Sequence, residues 1–79
     1  MRDIDMRDLA LLAEMIDGGH LSKITGMSVS ESRLDRKPDT IYRRLTRLER
    51  MGYVGRGYAK ERADTYFITH EGITFFRGD

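Results

Sequence analysis

Apolar side chains recur at threes and fours from Met6 through Leu9, Leu12, Ala13 and Ile16, the spacing that places them on one face of a helix. Asp5 stands where an N-cap accepts hydrogen bonds from the first turn, Ile4 and Leu9 are spaced as a hydrophobic staple, and Asp8 takes the place of the usual capping-box glutamate. Gly18-Gly19 ends this helix. A second, short helix is predicted over 21–25, with Leu21 and Ile24 turned toward the first and Gly26 closing it. Met27 to Lys37 reads as a loop holding one helical turn, begun by the capping-box pair Ser28 and Glu31 and anchored by Leu34. The only proline, Pro38, suits the first turn of a third helix over 38–51, where its missing N–H costs nothing. Ile41, Leu45 and Leu48 form the apolar stripe of that helix, and Gly52 terminates it.

Beyond Gly52 the period shortens. Tyr53 to Tyr58 and Thr65 to Ile68 are rich in aromatic and β-branched residues and flank the polar run Ala59 to Asp64, which predicts a β-hairpin over 53–68. Thr69 is placed to cap a last short helical turn that offers Ile73, Phe75 and Phe76 to the core. The 79 residues allow one domain, 1–79, of class α+β, with three helices, a hairpin and a terminal turn. With no cysteine, neither a disulfide nor a thiolate zinc site supplements its core. No apolar run approaches the roughly 20 residues that span a bilayer, and the N-terminus lacks the order of a signal peptide, so a cytoplasmic location without a membrane partner is expected.

The formal net charge of +1 conceals a strong asymmetry. Residues 36–62 carry nine basic and three acidic side chains, whereas residues 1–35 stand at −3 and residues 63–79 at −2. A field concentrated in the middle of the chain draws a polyanion to one face, unless the cations merely solvate a helix. Their placement favours the first reading. With Ile41 turned inward, Asp39, Arg43, Thr46 and Arg50 lie near the opposite pole of the third helix, flanked by Arg36, Thr40 and Arg47. The B-DNA major groove admits such a helix, arginine fits guanine in a bidentate contact, and arginine, threonine and tyrosine hold phosphates. Arg56, Lys60 and Arg62 add cations on the hairpin.

Pro38 to Val54 resembles the recognition helix and first wing strand of winged helix-turn-helix transcriptional regulators, and is most similar to the PadR-like group; MarR-like and phage or archaeal repressor-like branches share the pattern. Tyr66 to Gly72 is similar to the segment by which the wing of such proteins passes into the next helix. The resemblance implies a sequence-specific regulator, most often a repressor, that binds double-stranded DNA. PadR-type proteins dimerise through long helices after the wing, and only about ten residues follow Thr69 here. A homodimer through the first helix and the C-terminal phenylalanines and a monomer are therefore both open.

The expected DNA-binding set divides by role. Asp39, Thr40, Arg43 and Arg47 read or position on bases, and Arg36, Lys37, Arg50, Arg56, Lys60 and Arg62 meet phosphates, with Thr46 on the same face. Tyr42, at the edge of the stripe, serves either packing or a phosphate, and Asp39 also complements the helix dipole. Arg44 lies nearer the stripe, placed to pair with an acidic residue of the first helix. His20 and His70 have no partner at a ligand spacing, and Ser22, Ser28, Ser30 and Ser32 have no catalytic histidine. No metal, cofactor, small-molecule ligand or enzymatic activity is expected. The competing expectation is a winged-helix protein-interaction or replication adaptor module whose basic face docks an acidic partner.

Overall fold

The computed structural model describes residues 4–78. The elements run α1 (Met6–Asp17), β1 (Met27–Ser28), a 3-10 turn (Val29–Glu31), α2 (Pro38–Arg50), β2 (Val54–Arg56), β3 (Thr65–Ile68) and α3 (His70–Arg77). The strands form one antiparallel sheet of order β1-β3-β2, with Met27 opposite Tyr66 and Val54 opposite Ile68. The hairpin of β2 and β3 is the wing. The architecture is the expected winged-helix class, three helices with a hairpin, but the elements that fill it differ: among them, the segment from Met27, read as a loop, opens with the strand β1.

No helix forms over 21–25. Those residues make a turn in which the Thr25 hydroxyl oxygen accepts from the backbone N–H groups of Leu21 (3.2 Å) and Ser22 (3.1 Å), while Leu21 and Ile24 remain 50% and 84% exposed. A five-residue segment gains too few intrahelical bonds to offset its nucleation cost, and Thr25 supplies a competing local partner. The third helix is instead the last one: α3 is an eight-residue helix where a short turn was expected, capped by Thr69, whose hydroxyl accepts from Gly72 N–H at 3.0 Å.

The helix α1 begins and ends where expected, with the Asp5 and Asp8 capping box formed in both directions. Its inward face is rotated from the expected one. Asp8, Leu11, Leu12 and Met15 are buried, whereas Met6 is 80% exposed. Nor does Leu34 anchor the loop before α2, since it is 46% exposed. Glu14 does that work, accepting from the Ser32 hydroxyl at 2.7 Å and the Arg33 N–H at 2.8 Å.

The α2 stripe is inward as read: Ile41, Leu45 and Leu48 join Leu11, Leu12, Met15, Met27, Val54, Tyr66 and Ile68 in one core. Each such aliphatic side chain contributes roughly 1.5–3 kcal/mol by leaving water. Gly52 follows the C-cap with φ of +85°, a conformation that costs glycine nothing. Gly72 is required for another reason, because a Cβ there would collide with the carbonyl oxygen of Tyr53. Its bareness lets α3 start hard against the α2–β2 connection, where the Thr69 hydroxyl donates to the Gly52 carbonyl at 2.6 Å and Tyr53 stacks on Phe75 at 4.5 Å. Among the described residues no helix is long and apolar enough to cross a membrane.

Candidate nucleic-acid interface

With Ile41, Leu45 and Leu48 fixed in the core, helical geometry decides what the rest of α2 faces. One flank, carrying Arg44 and Arg47, lies against the start of α1. The other, carrying Tyr42 and Glu49, faces the wing. Between them the outer pole presents Asp39, Arg43 and Arg50, all exposed, together with Thr46. Thr46 is half withdrawn, because its hydroxyl donates to the Tyr42 carbonyl at 2.8 Å. Arg36 and Lys37 are exposed just before the helix, where the Lys37 N–H donates to Asp35 at 2.8 Å.

The cations between 36 and 62 fall into two groups. Arg36, Lys37, Arg43, Arg50 and Arg62 make no ion pair among the described residues. The others are held by the protein's own carboxylates. Arg44 donates to Asp5 at 3.0 Å and to Asp8 at 2.9 Å, the pairing expected of it. Asp8 holds the Arg44 guanidinium above its ordinary pKa against the cost of burial. Arg47, expected on the DNA face, also reaches Asp8. Arg56 bridges Glu49 of α2 at 3.3 Å and Asp64 of the wing at 3.2 Å, and its guanidinium carbon lies 5.0 Å from the centre of the Tyr66 ring. Lys60 pairs with Glu31 at 3.2 Å.

Asp8 is fully buried, yet two guanidinium groups satisfy it, so α1 and α2 are joined by a desolvated ionic contact. The sequence placed Asp8 in the capping box and Arg44 opposite an acidic residue of the first helix, but did not single out Asp8 as that partner or foresee its hold on Arg47, because the partners lie 36 and 39 positions away. The wing is joined to α2 by Arg56 in a similar manner, and Tyr66 beneath it is buried with its hydroxyl unpartnered among the described residues. Burial pushes the Tyr66 hydroxyl pKa up.

At the wing tip Lys60 and Ala63 exchange backbone hydrogen bonds of 2.9 Å around Glu61 and Arg62. This two-residue turn leaves Glu61 and Arg62 exposed. Of the expected set, the fold therefore gathers Asp39, Thr40, Tyr42, Arg43, Thr46, Arg47 and Arg50 on α2, Arg36 and Lys37 at its entrance, and Arg56, Lys60 and Arg62 on the adjoining wing. The histidines are elsewhere: the His20 ring meets the Thr25 carbonyl at 2.7 Å, and His70 is exposed in the first turn of α3.

No family model and no curated protein matches the sequence. Among solved structures the chain resembles a mutant of Staphylococcus aureus MepR, with a TM-score of 0.77 and 21% sequence identity over 96% of this chain. The likeness shows the winged-helix fold. The chain spans 56% of the length of that protein.

Proposed function

We propose that the chain is a DNA-binding transcriptional regulator that places the outer pole of α2 in the major groove and lays the wing along the adjacent backbone. The observation that carries this reading is the position of Arg43 and Arg50, exposed at the pole opposite the buried stripe and free of any ion pair among the described residues. Arginine there can reach a guanine edge without first abandoning an internal partner. Arg36, Lys37 and Arg62 are the free cations for phosphates, at the entrance of the helix and the tip of the wing. The fold shared with MepR supports the same reading, and the PadR-like likeness of the helix sequence and a repressor role belong to this proposal.

With about three phosphates neutralised, log affinity should fall with log salt at a slope of roughly −3. Replacing Arg43 by alanine should cost about 1 to 3 kcal/mol at the preferred duplex and relax its sequence preference. Titrating a duplex selected from a random pool, a random duplex and a single strand across salt concentrations checks both. Binding that ignores salt would exclude the reading. The internal pairing of Arg47, Arg56 and Lys60 favours one alternative, an adaptor that docks an acidic protein. That alternative predicts weak binding to every duplex with no sequence preference.

A further inference from the structure

The flank of α2 that faces α1 does not close completely. A cleft of about 300 Å³ opens there, lined by Asp5, Thr40, Arg43, Arg44 and Arg47. Three guanidinium groups meet at it against the carboxylates of Asp5 and, behind them, Asp8, which leaves an excess of one positive charge. Asp8 holds Arg47 from one side only. One terminal nitrogen of the guanidinium is taken, Nε is buried without a partner among the described residues, and 42% of the side chain is still exposed. A guanidinium fixed in this way has lost its rotational freedom in advance while keeping donors open to the outside. Thr40 adds a hydroxyl one helical turn away, and Arg43 links the cleft to the outer pole.

Resting on the DNA-binding reading above, we infer that this cleft seats one backbone phosphate of the bound duplex, and that Asp8 is the positioning residue that aims Arg47 at it. Arg47 then acts on the DNA backbone and not on bases, and Asp8, though buried on another helix, sets affinity. A phosphodiester offers two anionic oxygens to the open donors of Arg47 and to the Thr40 hydroxyl, and Arg44 neutralises Asp5, the one carboxylate exposed in the cleft. Because a phosphate is the same at every step of the duplex, the site contributes equally to all sequences.

Asp8→Asn separates this role from simple electrostatics by sign. The substitution removes a negative charge near the interface, which on charge alone tightens binding to a polyanion. The positioning role predicts the reverse: ~5- to 10-fold weaker binding to random and selected duplexes alike, with the salt slope reduced by about 0.9 for one lost phosphate. Arg47→Gln should give the same loss, and the double variant no more than either alone. The readout is fluorescence anisotropy of labelled duplexes over a salt series, at a temperature where circular dichroism shows each variant folded. Binding by D8N that equals or exceeds the wild type, or keeps the wild-type slope, overturns the inference while the DNA-binding reading stands. Should D8N not fold, Arg47→Lys takes its place, keeping the charge but lacking the fork that serves a carboxylate and a phosphate together. A lowered slope then supports the site, and an unchanged slope overturns it. If the wild type itself shows no salt-dependent binding, it is the earlier reading that fails.

Discussion

Glu61 and Arg62 turn the wing with φ of +51° and +67°, a left-handed pair that side chains with a Cβ adopt only at a cost of order 1 kcal/mol each or more. The same two-residue turn is ordinarily made by Asn-Gly, which adopts it freely. Replacing Glu61 by Asn and Arg62 by Gly should therefore raise stability by about 1 to 2 kcal/mol, seen as a higher urea midpoint at unchanged m-value. The single variant Arg62→Gly loses a free cation and should bind DNA less tightly, with a slope lower by about 0.9. An unchanged or lower urea midpoint would show that the tip is not strained. At this scale the sequence was legible where a residue's role is local. Asp5, Thr69, Pro38 and Gly52 all do what their positions suggested. It was opaque where the role depends on distant residues, as when Asp8 is withdrawn from solvent by arginines of another helix.

Elements are legible in proportion to their length and to the strength of their period. The stripe of α2 repeats over about two turns of large aliphatic residues and leaves one orientation; the segment 21–25 offers two apolar residues and leaves none. β1 is two residues long, too short for any alternation, and is defined by its pairing with β3. The element ends carry a pH dependence. Asp5, at the N-cap of α1, is held below the usual carboxylate pKa by the Asp8 N–H and further by Arg44. Glu31, in the 3-10 turn, is held low by the Ser28 N–H and further by Lys60. A depressed folded pKa stabilises the fold above the unfolded value, and that stability is lost as pH falls through the folded one. Thermal stability should accordingly hold steady from neutral pH down to about 4.5 and fall below it, since unperturbed Asp and Glu titrate near 3.9 and 4.3. Asp5→Asn, which still caps but does not titrate, should flatten part of the fall in a series of melts by circular dichroism. A wild-type profile without an acid decline would refute the assignment.

For the molecule as a whole, the basic middle of the chain is divided by the fold. Arg44, Arg47, Arg56 and Lys60 brace α2 against α1 and the wing against its neighbours, and Arg36, Lys37, Arg43, Arg50 and Arg62 face outward without a partner among the described residues. The charge count foretold a cationic surface and the apolar stripe foretold which side of α2 carries it. Neither could tell braces from free cations, because that depends on where Asp5, Asp8, Glu31, Glu49 and Asp64 come to lie. The central claim is that the outer pole of α2 and the wing tip together meet DNA. Titrating the isotope-labelled protein with a selected duplex and following its backbone amide signals by NMR tests this most directly. The account predicts the largest shifts at Asp39, Arg43, Arg50 and Arg62, with α3 nearly unmoved; shifts centred on α3 and the exposed Phe76, leaving α2 unperturbed, would contradict it.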